Sequence, residues 1–285
     1  MKELLIISGK GGTGKTSITA AFAALADNKV IADCDVDAAD MHLLLQPDVK
    51  ETHQFYASKV AEIHEDKCVR CGKCIEACRF DAIEDFKINH IYCEGCGVCY
   101  RICPQNAITM EDSLSGHWFV SETKHGPMVH AKLGIAEENS GKLVTEVRKA
   151  AQKIAQEQNK SLIIIDGPPG IGCPVISSIT GVDMVLIVTE PTVAGKHDLE
   201  RIIKLANHFD VKTAVCINKY DLDERKTLEI ENYCKSIGVD VISKIPFDRK
   251  VIDALIKGLS IVEYEETSQT ASEIKNLWQK VQNML

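Results

Sequence analysis

An apolar run, KELLIIS (2–8), passes directly into GKGGTGKT (9–16), and no other feature narrows the possible folds as far. The octet satisfies G-x4-G-K-T and stands where that pattern must stand, between a buried strand and the start of a helix. Four of its eight residues are glycines. Backbone N–H groups from Gly9, Gly11, Gly12, Thr13, Gly14, Lys15, Thr16 and Ser17 can therefore converge on an anion, with the helix N-terminus behind them. Lys15 is placed to neutralise terminal phosphate oxygens, and the Thr16 hydroxyl to ligate Mg²⁺.

Strand and helix patterns alternate along much of the remaining chain. KVIAD (29–33), SLIIID (161–166), DMVLIVT (183–189), KTAVCIN (212–218) and VDVISKIP (239–246) read as buried parallel strands. Helical patterns cover 15–26, 142–157, 195–208, 223–236 and 248–257. The alternation predicts an α/β fold, a parallel P-loop NTPase sheet covered by helices on both faces. Near the end, Ile274, Leu277, Trp278, Val281 and Leu285 recur at helical spacing, which predicts a helix packed on the core rather than a membrane-surface anchor.

The alternation breaks between about residues 50 and 135. Residues 62–112 read as an inserted small α+β domain, dividing the nucleotide-binding domain into 1–61 and 113–285. Within the insert, CVRCGKCIEACRFDAI (68–83) aligns with CEGCGVCYRICPQNAI (93–108) at an offset of 25 residues, every cysteine matching. Gly72 matches Gly97, and both halves close on Ala-Ile. Eight of the twelve cysteines lie in these runs, a usage that favours metal ligation over disulfides. So small a module buries little apolar surface, and bound metal is expected to supply much of its stability.

Zinc sites favour two C-x2-C pairs separated by a long gap, whereas here C-x2-C-x2-C-x3-C occurs twice. The pattern resembles the cysteine run of bacterial ferredoxins. That resemblance implies two [4Fe–4S] clusters. Cys68, Cys71, Cys74 and Cys103 would hold one, and Cys93, Cys96, Cys99 and Cys78 the other. Pro104 follows Cys103 as the ferredoxin pattern expects, but Arg79 follows Cys78, a cation that favours the reduced state of a nearby cluster.

A second resemblance spans nearly the whole chain. Lys10, directly after the first glycine, makes GKGGTGKT similar to the deviant Walker A loop of the MinD/Mrp/nitrogenase iron protein superfamily. DCDVDAAD (33–40) resembles that family's switch I, and IIIDGPPG (163–170) its Walker B and switch II. NKYD (218–221) resembles its adenine-reading segment, with IPFD (245–248) flanking the same pocket. The resemblance implies an Mg²⁺-dependent ATPase with Lys15, Asp35 and Asp166 at the phosphates. Asp35 would orient the attacking water or Mg²⁺, Asp166 would be an outer-sphere Mg²⁺ ligand, and Asn218 would contact the base. Lys10 would reach the nucleotide of a partner subunit, which implies a nucleotide-dependent homodimer. Asp33 and Asp37 read as loop structure, Asp221 by itself as a turn residue, and Asp40 receives no role.

Cys34, Cys216 and Cys234 read as buried small apolar residues, and His130, between apolar neighbours in PMVHAKL, as a packed structural histidine. Cys173 lies seven residues after Asp166, where the nitrogenase iron protein has a cluster-ligating cysteine. Two readings stand for it, a structural thiol and a transfer ligand at the dimer interface.

A net charge of −8 and only 5% aromatic residues argue against nucleic-acid binding. No apolar run approaches the roughly 20 residues of a membrane span. MKELLIIS leads straight into the loop with no leader, so a cytoplasmic location is expected. The expected function is ATP-driven electron transfer to an unidentified redox or metalloprotein partner. The alternatives are an Mrp-like carrier of iron–sulfur or metallocofactor cargo, and a MinD-like positioning ATPase with a structural or sensory cluster domain.

Overall fold

A computed structural model of the chain describes residues 1–134 and 140–285. Among the described residues the chain divides into two compact units, 1–52 with 118–132 and 140–285, and 53–117 with 133 and 134. The expected insert, 62–112, lies inside the second.

Six strands of the first unit are the apolar runs of the sequence. They are β1 (Lys2–Ser8), β2 (Lys29–Asp33), β8 (Leu162–Pro169), β9 (Met184–Thr189), β10 (Lys212–Asn218) and β11 (Asp240–Ile245). All their mutual pairings are parallel. Leu4 to Ile7, Ile164 and Val185 to Val188 are fully buried, as a parallel sheet covered on both faces requires. The covering helices are α1 (Lys15–Leu25), α2 (Met41–Leu45), α5 (Ser140–Glu157), α6 (Cys173–Ile179), α7 (Val193–His208), α8 (Glu224–Ser236), α9 (Arg249–Ile256), α10 (Ile261–Tyr264) and α11 (Gln269–Met284). The last of these is the terminal helix foreseen from its periodicity. Ile274, Leu277, Trp278 and Val281 are buried, and the Trp278 ring lies 4.9 Å from that of Phe22 on α1. Burial of side chains this large contributes about 1.5–3 kcal/mol each. No helix among the described residues is long and apolar enough to cross a membrane.

Three long strands carry no apolar run and escape the sequence reading. They are β3 (Asp48–Ile63), β6 (Ile108–Thr123) and β7 (Gly126–Leu133), and they extend the sheet to the order β11-β10-β9-β1-β8-β2-β7-β6-β3. β7 pairs parallel with β2. Residues 124 and 125 alone link β6 to β7, and so short a link joins antiparallel neighbours, so the sheet is mixed, mainly parallel. β3 is the edge strand and is largely exposed, and β6 beside it is mostly half-buried, so no long apolar run was needed to build them.

The second unit carries the cysteine repeat. α3 (Lys73–Ala77) and α4 (Val98–Ile102) occupy equivalent places in the two halves, with β4 (Ile83–Glu84) and β5 (Lys87–Ile88) forming an antiparallel pair. The glycine before each helix, Gly72 or Gly97, has φ of +82° or +72°, a left-handed conformation that costs glycine little. Ile83 and Ile108, the closing residues of the two halves, are buried together with Ala61 and Cys74 in one small core.

Candidate functional site

β1 delivers the chain into the glycine loop at Gly9, and α1 begins at Lys15, so the loop N–H groups face a cavity of about 440 Å³. Gly11 to Ser17, Asp35, Asp40 and Pro169 are among its lining residues. Gly14 has φ of +91°, and a Cβ there would lie 2.3 Å from Asn218 Nδ2. Only glycine lets β10 approach the loop this closely.

Lys15 is 5% exposed and faces a cluster of carboxylates. Its Nζ lies 2.8 Å from Asp166 Oδ2 and 3.4 Å from Asp35 Oδ2. Thr16 Oγ1 donates to Asp166 Oδ2 at 2.9 Å, and Thr19 Oγ1 donates to Asp166 Oδ1 at 2.8 Å. The parallel register of β2 on β8 sets Asp33 beside Asp166. Burial opposes the Lys15 charge, but Asp166 and Asp35 outweigh it and its pKa is raised. Burial, reinforced by Asp166, pushes the Asp33 carboxyl well up, and burial also raises Asp35. Asp33 Oδ2, Asp35 Oδ1 and Thr13 Oγ1 are buried with no hydrogen-bond partner. Orphaned oxygens of this kind fit a hydrated divalent cation and a phosphate, which supply the missing partners.

Lys10 is engaged elsewhere. Its Nζ lies 2.5 Å from Glu190 Oε1, while Lys219 Nζ lies 3.3 Å from Glu190 Oε2 and donates to the Gly12 carbonyl at 2.8 Å. Burial works against the Glu190 charge, yet the two lysines hold its pKa below the usual range.

An apolar cavity of about 250 Å³ adjoins the loop, lined by Gly12, Gly14, Ser17, Asn218, Pro246 and Phe247 among others. Asn218 Nδ2 donates to the Thr13 carbonyl at 2.8 Å, and its Oδ1 accepts from Lys219 N at 3.0 Å, leaving one amide hydrogen for an occupant. Asp221 does more than turn the chain, because its Oδ1 accepts from Phe247 N at 2.7 Å and ties NKYD to IPFD.

In the second unit the cysteines line two separate cavities. One takes Cys68, Cys71 and Cys74 together with Cys103 of the other half, and the second takes Cys93, Cys96 and Cys99 together with Cys78. Each half thus lends its fourth cysteine to the other's cavity. Burial pushes the Cys74 and Cys99 thiols up, and neighbouring cysteines add to the shift. Among the described residues no group of three or more His, Cys, Asp or Glu side chains is placed to hold a single metal ion.

The other four cysteines line none of these cavities. Cys34, Cys216 and Cys234 are buried, and burial raises the latter two to about 12 and about 11. Cys173 is exposed as the first residue of α6. His130 stacks on Phe119 and shares a 2.9 Å hydrogen bond with Ser121 Oγ. Sequence reasoning missed Asp33, Thr19, Glu190 and Lys219 as neighbours of the loop, since only sheet register and strand ends bring them there. Asp37 is exposed, whereas Asp40 lines the phosphate-side cavity.

Comparison with known proteins agrees with this geometry. An uncharacterized protein of Methanocaldococcus jannaschii is 37% identical over 99% of this chain and 97% of its own. The iron-sulfur cluster carrier protein of Pyrococcus horikoshii is 24% identical over 99% of this chain and 86% of its own. Among solved structures, the septum site-determining protein MinD of Pyrococcus horikoshii complexed with Mg-ADP superposes with a TM-score of 0.61 at 18% identity. That match covers 98% of this chain and 95% of the other, and it shows a shared fold. The CobQ/CobB/MinD/ParA nucleotide binding domain matches residues 4–261, and the chain belongs to that family.

Proposed function

We propose that this chain is an Mg²⁺-dependent ATPase whose nucleotide cycle gates electron transfer through two [4Fe–4S] clusters. One observation carries the reading: eight cysteines partition into two four-thiol cavities on a chain that also holds a complete phosphate loop. Each cavity offers four thiol donors of one type, which is the donor set that cube-type clusters take.

ATP is the substrate at the glycine loop. Its phosphates belong in the cavity faced by the loop N–H groups and its base in the adjoining apolar cavity. Lys15 turns from the carboxylates to the phosphate oxygens, and the Thr16 hydroxyl and Asp166 hold the metal. Bound there, Mg²⁺ neutralises charge that develops on the transferring phosphoryl group. Asp35, with one carboxylate oxygen unpartnered, orients the attacking water. Lys10 leaves Glu190 for the nucleotide of a second copy, making the ATP-bound state a homodimer.

The clusters supply low-potential one-electron chemistry. The chain's own part is to hold them through eight thiolates and to let the γ-phosphate bias the loops around Asp35 and Asp166, a known form of switch.

A carrier that hands a cluster to an acceptor is the second reading. It is favoured by the name of the Pyrococcus horikoshii relative and by the exposure of Cys173. Anaerobic EPR and iron counting with and without ATP separate the two. Electron transfer predicts about eight iron atoms retained per chain and a reducible signal that responds to ATP. Carriage predicts loss of iron to an apo-acceptor. Absence of iron from anaerobically purified protein would sink both.

A further inference from the structure

The apolar cavity beside the glycine loop is lined in part by the two last helices, through Ile261 of α10 and Thr270 and Ile274 of α11. Thr270 lies beyond residues 4–261, the span that matches the family's nucleotide binding domain. Ser17, Asn218, Lys219 and Asp248, the other polar residues of this lining, are half-buried, whereas Thr270 is 1% exposed. Its Oγ1 is buried with no hydrogen-bond partner among the described residues. Of the residues carrying such an atom, Thr270 alone lines this cavity.

Helix architecture does not account for that hydroxyl. Ser268 already caps α11, its Oγ accepting from Ala271 N at 3.0 Å. Thr19 and Thr145, within α1 and α5, each donate to the carbonyl four residues back at 3.0 Å. For Thr270 that carbonyl is Glu266's, which precedes α11, and no such bond forms. Valine would pack there with the same shape and no unpaired oxygen, so a hydroxyl is costly to keep unless an occupant pairs with it. Threonine in a helix divides between two χ1 rotamers, so the hydroxyl can turn to an occupant without strain.

Adenine offers acceptor ring nitrogens and one exocyclic amine. The remaining amide hydrogen of Asn218 suits a ring nitrogen, which leaves the amine in need of an acceptor. The Lys219 ammonium only donates, and Asp248 Oδ1 already accepts from Lys250 N at 2.9 Å. We propose that Thr270 is a base-reading residue of the nucleotide site, its Oγ1 accepting from the exocyclic amine of adenine. The proposal rests on the reading above of this cavity as the base site. It gives α11, which periodicity marks only as a core-packing helix, a part in choosing the nucleotide.

The test is calorimetric titration of the full anaerobic protein with Mg-ADP and with Mg-purine riboside diphosphate, which lacks only the amine. Diphosphates keep turnover out of the reading. Wild type is expected to bind ADP about tenfold more tightly than the analogue. Thr270→Val should weaken ADP about tenfold and leave the analogue within about twofold, so that the preference disappears. Thr270→Ser, which keeps the hydroxyl, should restore most of it. If circular dichroism shows that Thr270→Val does not fold, Thr270→Ala takes its place with the same expectation. A preference that survives loss of the hydroxyl would overturn the proposal, as would equal binding of the two ligands by wild type. Equal weakening of both ligands in the variant would also overturn it, since that marks a merely structural residue. Wild type that binds neither diphosphate refutes the base-site reading itself, whereas an amine preference indifferent to Thr270 refutes only the assignment of this residue.

Discussion

The Lys10 ammonium is held 2.5 Å from the Glu190 carboxylate, which also takes Lys219 at 3.3 Å. The residue that marks the loop as deviant is thus engaged within its own chain. Lys10→Gln is expected to spare nucleotide binding but abolish ATP-driven dimerisation and turnover. Glu190→Gln, which releases Lys10, is expected to let the dimer form at several-fold lower protein concentration. Sedimentation with a non-hydrolysable ATP analogue reads both, and an unchanged dimer in both variants would refute the assignment.

Gly14→Ala places a Cβ 2.3 Å from Asn218 Nδ2 on a backbone at φ +91°. Strain of this kind costs about 1–3 kcal/mol, and relief requires the loop to move. ATP affinity should fall by up to about a hundredfold, which is about 2.7 kcal/mol, while the fold persists. Calorimetry and circular dichroism together distinguish that outcome from simple unfolding.

Lys15→Met removes the buried cation shared by Asp33, Asp35 and Asp166. Breaking one side of a buried charge cluster costs about 3–5 kcal/mol. Burial raises Asp33 and Asp35, so the native state takes up their protons more readily than the unfolded chain, and acid favours it. The loss should therefore be larger at neutral pH than in mild acid. Urea titrations at several pH values check the sign.

Burial, aided by the charge of His42, lowers the His130 pKa from 6.5 to about 4. Between those values the unfolded chain binds a proton that the native state refuses, so stability falls as pH drops through this window. The contribution reaches at most about 3 kcal/mol at the acid end. His130→Gln should flatten this part of the stability curve, and thermal melts across the window read it.

Cys103→Ser should empty the cavity of Cys68, Cys71 and Cys74, although it belongs to the other half of the repeat. About four iron atoms should be lost and one EPR signal retained. Cys78→Ser should remove the other signal.

The apolar strands, the glycine loop and the repeat were legible in the sequence because each depends on local order. Continuous apolar runs make buried parallel strands, and G-x4-G-K-T needs only a strand before it and a helix after it. The strands β3, β6 and β7 were not legible, because an exposed edge strand such as β3 and a mostly half-buried one such as β6 need no long apolar run. β7 pairs with β2 and buries only Pro127 to Val129 and Ala131, too short an apolar run to stand out.

Residue types and spacings by themselves determined which groups could bind phosphate, and the ferredoxin resemblance implied which thiols group across the repeat. Tertiary structure alone decided which groups meet. Parallel register sets Asp33 against Asp166, and the ends of β9 and β10 bring Glu190 and Lys219 to the glycine loop. Contacts of that kind join residues more than a hundred positions apart through hydrogen-bonded strand neighbours, and no local sequence pattern encodes them.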